Sequence, residues 1–107
     1  MGGGDRLVGH TVARFPEQRA QMMHMFRNAP GHIADTPANR QLLLNTANNA
    51  RNFVDIDRFG SRVYTQMLAN GNQVWVYVRN GVIQDGGVNL VGAVRPWIEG
   101  FGLEILR

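Results

Sequence analysis

Between Arg62 and Asn89 apolar and polar residues alternate in three short runs, separated by the dipeptides Asn70-Gly71 and Asn80-Gly81. Asn-Gly between alternating apolar residues is a strong hairpin signal, because a type I′ turn needs positive φ at both central positions and these two residues tolerate it. The pattern predicts a three-stranded antiparallel meander. Two-residue loops would set Met67 opposite Val74, Thr65 opposite Val76, Val63 opposite Val78, and Val78 opposite Ile83. Those residues form one largely apolar face. Period-two alternation then sends Arg62, Tyr64, Gln66, Gln73, Trp75, Tyr77, Arg79 and Gln84 to the other face.

Upstream the period changes to that of a helix. Ala20, Met23 and Phe26, with Met22 beside them, predict an amphipathic helix over Glu17 to Arg27, opened by Pro16. Ala29-Pro30-Gly31 breaks it. Thr36 is a good N-cap and Pro37 a good first residue for a second helix reaching about Asn49, with Leu42, Leu43, Thr46, Ala47 and Ala50 inward. Phe53 to Gly60 reads as a loop or short turn. Gly86-Gly87 reads as a bulge or tight bend, after which Val88 to Val94 would form a fourth strand, and Trp97 to Arg107 a last short strand or helix. Helices first and antiparallel sheet second make the fold class α+β, in one domain over residues 1–107 with Met1 to Gly4 as a flexible lead.

Composition narrows the chemistry. The chain has no Cys, which removes disulfides, thiolate zinc sites and a thiol nucleophile. No apolar run approaches the roughly 20 residues of a transmembrane helix. The net charge of +3 is carried entirely by Arg, since Lys is absent, and favours a polyanionic partner modestly. The single Ser, Ser61, lies in no nucleophile elbow, and Gly2-Gly3-Gly4 opens no phosphate loop. Two His with Asp35 match no closed zinc pattern, so no metal and no cofactor are expected.

Two constellations remain. Aromatic rings, amides and guanidiniums on the Trp75/Tyr77 face suit single-stranded nucleic acid, where bases stack on rings and Arg grips phosphate, unless a helix covers both rings. His24 and His32 flank the Pro30-Gly31 break, with Arg27 one turn from His24. Metal-independent RNA cleavage needs a group to take the 2′-hydroxyl proton, another to protonate the leaving 5′-oxygen, and a cation for the charged phosphorane.

These residues also carry a resemblance. His24-Met-Phe-Arg27, Gly31-His32-Ile-Ala-Asp35-Thr36-Pro37-Ala-Asn39-Arg40, Asp57-Arg-Phe-Gly60, and Gly71 through Trp75, Arg79-Asn80-Gly81 and Gly86-Gly87-Val-Asn89 resemble C-terminal toxin domains of bacterial polymorphic toxins, the tips of CdiA contact-dependent inhibition and Rhs proteins. The resemblance spans His24 to Asn89. It implies a ribonuclease of the barnase/EndoU/colicin/RelE-like class that cleaves tRNA in the cytoplasm of a target bacterium after delivery by a larger secreted or cell-surface effector. It further implies a cognate immunity protein and, for some members, elongation factor Tu. The matching positions are His24, Arg27, His32, Asp35, Thr36, Asn39, Arg79 and Asn89. The expected site is therefore His24, His32, Arg27 and Thr36 for catalysis, with Arg79, Trp75, Tyr77, Arg62 and Asn89 holding substrate. A non-catalytic RNA- or protein-binding module, or a structural domain of a larger secreted protein, are the alternatives.

Overall fold

The computed structural model, which describes residues 12–96, contains both expected helices; Pro37 opens the second, whereas Pro16 lies outside the first, which begins at Arg19. The Met1 to Gly4 lead and the element expected over Trp97 to Arg107 lie outside the described residues. Thr36 is extended (φ −128°, ψ 158°) and its Oγ1 accepts from the Asn39 N–H at 3.1 Å, capping the longer helix, α2 (Pro37–Ala47). Leu43, Thr46 and Ala47 are buried on it and Leu42 packs beside them. Ala50, expected inward, is exposed, because α2 stops at Asn48 and Ala50–Asn52 forms a separate 3₁₀ turn.

The shorter helix, α1 (Arg19–Met25), starts after an extended Gln18 and leaves helical geometry at Phe26 (φ −100°, ψ 28°). It covers less than the expected Glu17 to Arg27 and turns a different face inward. Met25 is fully buried with Phe26 packed beside it and Met22 half-buried, whereas Ala20 is exposed and Met23 is 63% exposed. Residues at i, i+3 and i+4 share a helix face, so the inward stripe is Met22, Met25 and Phe26 rather than the one through Met23.

The sheet has four antiparallel strands in chain order, β1 (Phe53–Ile56), β2 (Arg62–Met67), β3 (Gln73–Arg79) and β4 (Val82–Asn89). The meander is the one the alternation predicts. Its second turn is type I′ as expected, with Asn80 at φ 55° and Gly81 at φ 78°, and Val78 faces Ile83. The first turn differs. Gly71 N–H donates to Leu68 O (2.9 Å) and Leu68 N–H to Asn72 O (2.8 Å), so three residues, Ala69 to Gly71, form the loop, and only Gly71 takes positive φ. This is a type I turn closed by a left-handed glycine, the usual three-residue hairpin.

One extra loop residue shifts the register by one and turns β2 over. Thr65 faces Trp75, Tyr64 faces Val76 and Val63 faces Tyr77, in place of the expected pairs. Tyr64 thus joins Val74, Val76, Val78 and Ile83 under the helices, in a core with Leu43, Ala47, Met25 and Ala13. The buried Thr46 hydroxyl shares its hydrogen between Gln66 Oε1 and the Leu42 carbonyl, both at 2.9 Å. Val63 moves to the far face with Trp75, Val54 and Tyr77.

Three further expectations are corrected. The fourth strand is Phe53–Ile56, inside the expected loop, while the segment expected as a strand over Val88 to Val94 ends β4 at Asn89 and continues as a 3₁₀ turn, Val91–Ala93. β4 also runs unbroken through Gly86-Gly87, and the bulge sits earlier, where the partner of Tyr77 is Asp85 but that of Val78 is Ile83, leaving Gln84 as the extra residue.

The glycine at 87 has another cause. A Cβ there would lie 1.9 Å from the Gly31 carbonyl oxygen, because the loop after α1 crosses β4 and rests on the far face of the sheet. Gly87→Ala is therefore expected to lower stability by about 1–3 kcal/mol or more through overpacking against backbone. Gly92→Ala, where nothing lies within 4 Å of the added atom, should leave the midpoint of thermal unfolding in place. Equal midpoints for the two variants would refute the close approach.

Candidate functional site

His24 stands exposed in the last turn of α1, and Arg27 folds back onto it. Arg27 Nη1 lies 3.0 Å from His24 Nε2 and donates to the His24 carbonyl at 2.7 Å. A guanidinium only donates, so Nε2 is the accepting nitrogen and Nδ1 carries the ring proton. The i,i+3 spacing read from the sequence thus becomes a direct contact. Arg27 also lines an open groove of about 800 Å³ with Arg19, Met22, Phe26 and the Phe15 to Glu17 segment.

His32 lies elsewhere. Its side chain is 6% exposed, its Nδ1 donates to the Met25 carbonyl at 2.8 Å, and its ring meets the edge of Trp75 at 5.4 Å. Asp85 Oδ1 is 3.9 Å from the same nitrogen. His32 lines a groove with Pro30, Leu68 and Leu90, apart from the groove that Arg27 lines, so the expected single cleft around the Pro30-Gly31 break is not what these linings describe.

The expected sheet-face platform is also divided. Trp75 is 8% exposed, and its Nε1 donates to Gly31 O at 3.0 Å. A loop, not a helix, covers it, which corrects the reading of Trp75 as an open stacking surface. Tyr77 lies beside it, half-buried, with ring centroids 5.3 Å apart. Arg62 has gone to the opposite face with Tyr64, as the shifted register requires: its Nε donates to Tyr64 Oη at 3.1 Å and its guanidinium lies 4.3 Å from the Phe53 ring. Asn89 is buried, donating through Nδ2 to Gln73 Oε1 at 3.1 Å. Gln73 in turn holds both the N–H and the carbonyl of Arg95, fixing the segment after β4. Arg79 alone of the expected substrate residues stays exposed, at the end of β3.

Thr36, Asp35 and Asn39 serve the start of α2. Asn39 Nδ2 donates to Ala34 O at 2.9 Å, and Arg40 donates from Nε and Nη2 to the two Asp35 oxygens at 2.5 and 2.7 Å. Arg40 also lies over the rings of Phe15 and Phe26, at 5.8 and 5.9 Å. The matching motif around Asp35 is accounted for by this local architecture. Compared with protein families, curated proteins and solved structures, the chain matches none.

Sequence reasoning missed Gln73, Asp85 and Arg40. Gln73 and Asp85 meet partners 22 and 53 positions away, beyond any local spacing. Arg40 with Asp35 is a five-residue interval across a helix start, legible only once the cap at Thr36 is placed.

Two measurements follow. His32→Ala should destabilise the fold by about 1–3 kcal/mol by leaving the Met25 carbonyl unpaired, whereas His24→Ala should leave the unfolding midpoint nearly unchanged. Equal midpoints would deny His32 its anchoring role. The second concerns pH. Hydrogen bonds from Arg40 hold the Asp35 carboxyl below its ordinary value of 3.8, against a smaller opposing effect of desolvation. A lowered folded value means that the pair contributes fully above the ordinary carboxylate range and loses its contribution as pH falls through the lowered value. Being exposed, the pair contributes little. The difference in unfolding midpoint between the wild type and Asp35→Asn should be greatest near neutrality, begin to shrink as pH falls below about 3.8, and vanish once pH has fallen through the lowered folded value; a difference that grows in acid would contradict the pairing.

Proposed function

We propose that this domain is a metal-independent endoribonuclease, the toxic tip of a larger bacterial effector, with barnase/EndoU/colicin/RelE-like architecture. Two helices followed by a four-stranded antiparallel meander support that architecture. The observation that carries the activity is the exposed His24–Arg27 contact, an imidazole held against a guanidinium that lines a groove. In this reading a substrate phosphate draws Arg27 off the imidazole, since a charged acceptor binds a guanidinium more strongly than a neutral one. The lone pair on His24 Nε2 is then free to take the 2′-hydroxyl proton. The 2′-oxygen bonds to phosphorus, the phosphorus–5′-oxygen bond breaks, and water protonates the leaving 5′-oxygen. Arg27 neutralises the charge that builds on the phosphorane. His32 and Thr36 act as positioning residues, one pinning the end of α1 and the other the start of α2.

From the resemblance come tRNA as substrate, a cognate immunity protein as partner, elongation factor Tu as a host factor, and the target cytoplasm as the place of action. The test is incubation of the full chain with total tRNA in EDTA, with and without elongation factor Tu. Cleavage is expected to survive chelation and to fall about 10²-fold in His24→Ala. Intact tRNA under every condition would favour the non-catalytic RNA- or protein-binding module instead.

A further inference from the structure

Two arginines flank Val82 where three chain segments lie side by side. Arg14 forms a parallel bridge to Val82, its N–H donating to Gly81 O (2.9 Å) and its carbonyl accepting from Ile83 N–H (2.8 Å). On the other side Val82 pairs with Arg79 of β3. Residues paired across neighbouring strands share a face, so both guanidiniums rise from one side of the sheet, their Cα atoms about 10 Å apart at two strand spacings. Both line a groove of about 390 Å³ closed by Gln18 and Gln21 and by Gln84.

The bulge serves this groove. Gln84, the residue it inserts, anchors its amide on the Val82 carbonyl (3.0 Å) and accepts from Arg79 Nη2 (3.1 Å). A bulge beside a functional site commonly re-aims a side chain in this way. Arg79 Nη1 also donates to Phe59 O (3.4 Å), so the guanidinium is braced by neutral acceptors. Among the described residues neither Arg14 nor Arg79 makes an ion pair, in contrast to Arg40, which is committed to Asp35. Glu17 is the one carboxylate lining the groove, and it bridges to neither arginine. Phe15, Pro16 and Glu17 are shared with the larger groove that carries Arg27, so the two form one path over that segment.

We propose that the Arg14–Arg79 groove is a second phosphate subsite, holding a backbone phosphodiester of single-stranded RNA whose next part lies against Arg27. The subsite rests on the ribonuclease reading for its ligand, and Arg14 is the residue it adds. Two guanidiniums, that of Arg79 braced on Gln84 and Phe59, can meet phosphate oxygens with N–H donors, and amides from three glutamines can supply neutral donors around them.

The experiment measures binding of a 2′-O-methyl RNA oligonucleotide of about ten nucleotides, which cannot be cleaved, to the full chain over a range of salt. Arg14→Gln keeps the sheet bonds, which its backbone makes. Arg14→Gln and Arg79→Gln are each expected to weaken binding about 5-fold at 0.1 M salt and to flatten the dependence of log K on log salt, the double variant reducing the slope by about 0.7, the share of one phosphate on a single strand. Arg51→Gln, on the exposed 3₁₀ turn away from the groove, should do neither. Inorganic phosphate at matched ionic strength should leave the oligonucleotide bound. Wild-type affinity and slope in Arg14→Gln, an equal loss in Arg51→Gln, or displacement by inorganic phosphate would each overturn the subsite. If the double variant binds and cleaves as wild type, the groove is wrong and the nuclease stands. If binding runs through the groove in a chain that cleaves no tRNA, the groove stands and the nuclease falls.

Discussion

The hydrogen bond from Trp75 Nε1 to the Gly31 carbonyl organises the molecule, because it forms only when distant parts of the chain meet its conditions together. Gly87 must lack a side chain for the loop to come down. Gly31 must adopt φ 85°, a left-handed conformation that other residues resist, and even there a Cβ would lie 3.0 Å from Asn89 Oδ1. His32 must hold the loop to the end of α1 through the Met25 carbonyl. With these met, the connection between the helices wraps the edge of β4 and covers the side of the sheet that the helices leave open. A four-stranded sheet with one face under helices and the other under a loop can place apolar residues on both sides, and Val63, Trp75 and Tyr77 sit opposite Tyr64, Val74 and Val76 in that way.

The same bond governs the proposed catalytic pair indirectly. α1 is seven residues long, and isolated helices that short do not persist in water. Its geometry comes from Met25 in the core and from the bond His32 makes to its last carbonyl. His24 and Arg27 are therefore presented by a helix whose own hydrogen bonds cannot hold it, and their positions are set from below by side chains that never touch the surface.

What could be read from the sequence follows the range of each interaction. The cap at Thr36, the contact of His24 with Arg27 and the type I′ turn at Asn80-Gly81 depend on residues at most four apart, and all three are present. Asn70-Gly71 misled because glycine suits both a two-residue and a three-residue hairpin loop, and the neighbouring alternation could not choose: Val63 and Tyr64 are both apolar and both faces of the sheet are covered. From that one-residue difference came the wrong side for Arg62. β1 escaped notice because it has four residues, includes Asp55 and is interrupted by a bulge. The burial of Trp75, His32 and Asn89 was hidden for a different reason. It depends on where a loop lands on a sheet, and no local pattern encodes that.

Thr46 and Gln66 give the β2 register a property that apolar packing alone would lack. In the observed pairing the buried hydroxyl finds the Gln66 amide oxygen across the helix–sheet boundary. In the pairing one residue away Gln66 would point to the far face, and Thr46 would keep only the bond to the Leu42 carbonyl of its own helix. The bond to Gln66 is worth about 1 kcal/mol. The pair therefore acts as a proofreading contact: it is made only in the correct register and is missing from the nearest incorrect one, which the alternating residues by themselves would have accepted.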